Sequence, residues 1–189
     1  MNVDWKTELV EQIDLHWQSQ LRPRLDGLTD DEYFWEPVPG AWNVRPRGEG
    51  DAPIKAGAGD FTIDFAMPEP DPVPVTTISW RLGHILVGVL GARVHAHFGG
   101  PPVDYFTFDY PGTAADALRR LDKFYAAWHD GVAGLESDAF GEPVGPAEGD
   151  WADSPMATLV LHINRELIHH GAEIALLRDL YAWRTEAGR

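Results

Sequence analysis

Toward its C-terminal end the chain reads Leu161-His-Ile-Asn-Arg-Glu-Leu-Ile-His-His-Gly-Ala-Glu-Ile174. Met156, Val160, Ile163, Leu167, Ile174, Leu177 and Tyr181 recur at three- and four-residue spacing, which marks one face of a helix. His170 stands where that pattern assigns an apolar side chain. Glu166 precedes it by one turn, about 6 Å along the axis and about 40° round. An inward imidazole and an inward carboxylate have two uses. They form a buried hydrogen-bonded pair, or they hold a divalent ion.

Geometry limits the second use. Metal–ligand bonds of about 2.0–2.2 Å let residues one turn apart share an ion. His162 and His170, two turns and about 12 Å apart, cannot share one. The open pairs are Glu166 with His170, His162 with Glu166, and His169 with Glu166; the first fits the inward stripe best. His162, Arg165 and His169 fall on a neighbouring face. A third ligand has to come from another element. His84 lies in the apolar run Trp80-Arg-Leu-Gly-His-Ile-Leu86, on a face shared with Gly88, Gly91 and His95. The small residues leave room there for close helix packing or for a pocket. A lone histidine in such a run is otherwise a satisfied core residue, and His16, His95, His97 and His129 read as structural or solvated. Three protein ligands would leave a coordination position open, as a catalytic ion requires.

Composition narrows the chemistry. The chain has no cysteine, so disulfides, zinc–thiolate sites and cysteine nucleophiles are excluded, and any metal is held by His, Asp or Glu. Thirty acidic against fifteen basic residues give a net charge of −15. Such a surface repels phosphate backbones and anionic lipid, so neither nucleic acid nor a membrane is an expected partner. No stretch reaches the roughly 20 apolar residues of a span, and Met1 to Val10 is no signal peptide, so a soluble cytoplasmic protein is expected. The 189 residues suit one domain, 1–189.

Four segments must position these residues. The first helix is expected over about Asp4–Leu28, with Val10, Ile13, Trp17, Leu21, Leu25 and Leu28 as its stripe, and with Pro23 kinking it or starting a new turn. The second covers about Thr77–Phe98. The third starts at a Thr113 cap and carries Ala114, Leu118, Leu121, Tyr125, Trp128, Val132 and Leu135 inward. The fourth starts at Ser154-Pro155, with proline at the first helical position, and runs to about Arg184. Residues 36–75 hold so many prolines and glycines that a long helix is forbidden there. Phe61–Phe65 alternates and reads as one short strand. The expected fold is therefore all-α, a four-helix bundle with a long Pro/Gly-rich crossover loop between helices one and two.

Three of these stretches resemble one family. Gly27-Leu-Thr-Asp-Asp-Glu-Tyr-Phe-Trp-Glu-Pro-Val-Pro-Gly-Ala-Trp-Asn-Val-Arg45, Thr77-Ile-Ser-Trp-Arg-Leu-Gly-His84, and Glu166-Leu-Ile-His-His170 running on to Leu177-Arg-Asp-Leu-Tyr181 are similar to segments of the DinB/YfiT-like superfamily. That superfamily includes mycothiol-dependent maleylpyruvate isomerases and bacillithiol transferases. The resemblance implies a metal triad of His84, Glu166 and His170. Glutamate at 166, where many members have histidine, is shared with the isomerase branch. It further implies zinc, or nickel as the alternative, a low-molecular-weight thiol such as mycothiol, and a homodimer.

On that reading the protein is a metal-dependent enzyme acting on a small-molecule substrate, a thiol-dependent transferase or isomerase. The catalytic group would be a water or thiol on the ion at His84, Glu166 and His170. A metal-dependent hydrolase and a non-catalytic stress-response or ligand-binding protein with a structural metal are the alternatives. The 36–75 segment is expected to cover the mouth, with Trp35, Trp42 and Arg45 in the wall. Arg45 would pair with a substrate carboxylate or, as slightly preferred, with one of the protein's own acids.

Overall fold

The structure, a computed structural model, describes residues 3–186. Helix α1 (Trp5–His16) opens at Asp4, whose carboxylate accepts from the Thr7 amide. It continues through a π-helical stretch, Trp17–Leu21, into α2 (Arg22–Arg24). The widened turn falls just ahead of Pro23, which sits in the first turn of α2, where a missing donor costs little. The helix ends before the expected Leu28, because Gly27 takes a left-handed φ of 74°. Leu25 and Leu28 are buried nonetheless. A short α3 (Asp30–Tyr33) follows, capped by Thr29.

The second helical segment comprises α4 (Ile78–His84), a π-helical stretch Ile85–Gly91, and α5 (Ala92–Phe98). Thr77 caps it and left-handed Gly99 ends it. The π-helical turns begin directly after His84, so the register of the following side chains shifts at that residue. Helix α6 (Ala114–Ala133) starts at the expected Thr113 cap, which accepts from the Asp116 amide. Helix α7 (Met156–Glu186) begins one residue later than expected. Pro155 is bridged to Pro143 instead of opening the helix, and the Met156 amide is satisfied by the Glu142 carbonyl.

These segments share one apolar core, with Ile13, Leu21, Leu82, Leu86, Leu90, Leu121, Trp128, Ile163 and Leu167 among its buried members. Trp17 stacks on Tyr125 with ring centroids 3.7 Å apart, joining the first and third segments. The stripes read from the periodicity of helices one, three and four are the faces that point inward.

The all-α expectation fails in the crossover. The chain is mostly helical, yet residues 44–65 form a small antiparallel sheet of β1 (Val44–Pro46), β2 (Ile54–Ala56) and β3 (Phe61–Phe65) in the order β1-β3-β2. Three-residue strands are too short to show a period of two, so only the central one was legible. Pro46 is tolerated because β1 is an edge strand. Val44, Ala56 and Ile63 of the sheet form a second apolar cluster with Val87 and Tyr110, which fastens the sheet to the second helical segment.

Asn43 fixes this junction. Its amide donates to the Phe34 carbonyl at 2.9 Å, and its carbonyl accepts from the Thr77 and Ser79 hydroxyls at the start of α4. All three polar side chains are buried. An unpaired buried donor or acceptor costs about 1–3 kcal/mol. Asn43→Ala should therefore lower the unfolding free energy by about 2–3 kcal/mol, a loss that urea denaturation followed by circular dichroism will measure.

Candidate metal centre

His84 ends α4, and Glu166 and His170 lie one turn apart on α7. The tertiary fold lays these two helices side by side and brings the three residues together. One ligand atom from each lies within 4.8 Å of the others. The His84 and His170 rings meet edge to face, centroids 4.8 Å apart and planes at 89°. His170 is nearly buried, with 8% of its side chain exposed, while Glu166 is one-quarter exposed and so faces the solvent side of the cluster.

The spacing of the pair is informative. His170 Nε2 and Glu166 Oε2 are 3.4 Å apart. That is too long for a good hydrogen bond. Ligands about 2.1 Å from one tetrahedral ion stand about 3.4 Å apart, so the separation matches an edge of a coordination shell. His162 approaches the other oxygen of Glu166 at 3.5 Å but is 40% exposed. His169 reaches Glu173 and not Glu166, at 3.5 Å, and is 62% exposed. Of the three open pairs, the structure joins Glu166 to His170 and to His162, and parts it from His169. A second grouping, His169, His170 and Glu173, draws on α7 alone. Its His170 Nδ1–Glu173 Oε2 separation of 2.7 Å is a hydrogen-bond length, which favours the set containing His84.

Outer partners orient both histidines. Glu173 accepts from His170 Nδ1 and is itself held by Arg81 Nε at 3.0 Å. This leaves His170 Nε2 for Glu166 and His84. Carboxylate-to-histidine support of this kind is what metal-ligating imidazoles usually have. His84 Nδ1 lies 2.7 Å from the Tyr105 hydroxyl, which leaves Nε2 of His84 for the cluster. Burial pushes the Tyr105 phenol up to about 12, so it stays protonated. Burial, aided by His170 and Arg81, pushes His84 down to about 4. Its imidazole is therefore neutral throughout the physiological range, as ligation requires.

Glu173, Arg81 and Tyr105 escaped the sequence reading. Glu173 follows His170 by three residues, and that spacing could have revealed it. Arg81 and Tyr105 had no local signal, because their relation to the site is purely spatial. The room expected beside His84 is real, but it is filled. A Cβ on Gly88 would collide with the Tyr105 hydroxyl, and one on Gly91 would crowd Val103. The segment after α5 takes the space offered to a packed helix or a pocket.

The proposed wall residues lie elsewhere. Arg45 is bound to Glu36 at 2.7 Å and to buried Asp64 at 2.8 Å, so it pairs with the protein's own acids. Trp42 packs on Trp80, whose other neighbour is His84, so one ring separates it from the site. Trp35 meets Tyr181 edge-on at 5.6 Å, toward the far end of α7.

The family model of the DinB superfamily matches residues 55–174. The chain belongs to the DinB superfamily. No curated protein and no solved structure gives a significant match. The matched stretch contains His84, Glu166 and His170, and DinB-superfamily proteins often bind metal. Among the described residues no helix is long and apolar enough to cross a membrane.

The depressed His84 has a consequence for the metal-free protein. Its unfolded value is the ordinary 6.5, and its folded value is about 4. As pH falls from about 6.5 to about 4, the unfolded chain binds a proton that the folded chain refuses, and stability is lost across that window. His84→Asn should flatten the fall in unfolding free energy between those two pH values by up to one proton's slope, read from urea midpoints at half-unit steps of pH.

Proposed function

We propose that this protein is a divalent-metal-dependent enzyme acting on a small molecule, with His84, Glu166 and His170 as the ligands. The observation that carries the reading is the convergence of two imidazoles and a carboxylate from two helices, one atom of each within 4.8 Å of the others, with Glu173 and Tyr105 engaging the outward nitrogens. The donor set fits a borderline ion such as zinc, with nickel as the alternative. Three protein ligands leave coordination positions for reactants, and a divalent ion there supplies a Lewis acid that makes a coordinated water or thiol more acidic.

The chain's own residues supply the rest. Glu166 would offset one of the two positive charges of a divalent ion held there, so the centre would keep a net positive charge toward an incoming anion. Arg81 and Glu173 hold His170 in place, and Tyr105 fixes the His84 ring. The chain contains no cysteine, so a thiol-dependent reaction must bring its thiol from outside. A transferase or isomerase that uses a low-molecular-weight thiol such as mycothiol is the reaction class we favour. The cluster's partial exposure at Glu166 gives such a thiol a way in.

Metal titration by calorimetry tests the ligand set. His170→Ala should abolish stoichiometric zinc binding while leaving the helical circular dichroism intact; a retained site would refute it. Glu166→Gln should weaken binding without abolishing it, since the amide keeps an oxygen but loses the charge. Glu173→Gln touches no ion and should still lower affinity by about 10- to 100-fold through loss of His170 support. Consumption of a thiol in the presence of an electrophile, lost on chelation, tests the reaction class.

A further inference from the structure

Beside the cluster lies a cavity of about 460 Å³ between α5, the 144–154 segment and the first turns of α7. Its walls are largely apolar, with Val144, Trp151 and Leu159 among them. The charged and titratable groups that line it are Arg93, Arg165, His162 and Glu148. Glu148 is already neutralised. One of its oxygens takes Arg93 at 3.1 Å and the other takes His97 at 2.9 Å, and its side chain is only 8% exposed. With Arg93 engaged by Glu148, the cationic group left facing the cavity is Arg165, in a protein whose net charge is −15. A guanidinium against that background attracts anions.

Two details point to an acceptor that the protein does not supply. Arg93 Nε is buried with no hydrogen-bond partner, although both of its terminal nitrogens are engaged, by the Gly88 carbonyl and Glu148. Buried donors are normally paired, and this one, closed to solvent, belongs to a residue that lines the cavity. Arg165 donates to His162 Nδ1 at 2.6 Å, which leaves the His162 proton on Nε2 as a further donor. Arg165 and His162 also approach Glu166 Oε1, at 3.6 and 3.5 Å. The cavity and the cluster therefore share a wall.

We infer that this cavity binds a small organic anion with an apolar body, its acid group taken by Arg165, His162 and Arg93 and its hydrocarbon part by Trp151, Leu159 and Val144. Its volume suits a molecule of one or two rings. That this anion is the substrate rests on the metal reading above; that it binds does not.

Calorimetry on chelator-treated, metal-free protein separates the two. Naphthalene-1-sulfonate should bind one to one, and 1-naphthalenemethanol, similar in shape and uncharged, should bind at least about tenfold more weakly. Arg165→Glu changes an exposed side chain and should fold normally. It should reduce sulfonate affinity to the level of the alcohol and leave the alcohol unchanged. Thr158→Phe fills the cavity without altering charge and should abolish both. Equal affinity for the two compounds, or sulfonate binding untouched by either substitution, overturns the inference. Failure of zinc titration in the wild type would sink the metal reading and leave this measurement fully interpretable.

Discussion

The arrangement around His170 depends on one shared carboxylate. Glu173 Oε2 is held by Arg81 from α4 and in turn holds His170 Nδ1 on α7. This links the two helices at the level where His84 and His170 meet. An arginine–carboxylate contact that is only partly exposed is less screened than a surface pair and has a defined direction. Its effect is to present Nε2 of His170 to Glu166 and His84. Without it the imidazole could rotate, and three suitable residues would be merely near one another.

The crossover supports this seam from outside. Its sheet packs on the second helical segment through Val44, Ala56, Ile63, Val87 and Tyr110, and Asn43 ties its entry to the start of α4. Trp42, Trp80 and His84 follow as neighbouring rings. The segment after α5 then returns over Gly88 to deliver Tyr105 to His84. The long irregular stretches thus hold the second helix and its histidine in position.

Much of the helical framework was legible because buried helices advertise themselves by period. The stripes of α1, α6 and α7 emerged from spacing alone, and so did the Thr113 cap. His170 stood out because a titratable residue occupied a core position. The sheet was largely invisible, since β1 and β2 are three residues long and their pairing with β3 is non-local. The π-helical turns left no pattern either, because one extra residue per turn only blurs a period. Arg45 shows the limit for charges: its type and place suited a substrate contact as well as the preferred pairing with one of the protein's own acids, and only the tertiary structure shows those acids to be Glu36 and Asp64.

The sequence alone determined which groups were available for chemistry. It removed cysteine, made the surface acidic, and set Glu166 one turn ahead of His170 on an inward stripe, because helical geometry converts spacing directly into direction. The tertiary structure alone decided which partners these groups meet. Bringing His84 to His170, Arg81 to Glu173 and Tyr105 to His84, and setting a cavity lined by Arg93 and Arg165 beside Glu166, depends on how separate helices and loops pack, and distance across a core has no counterpart in distance along a chain.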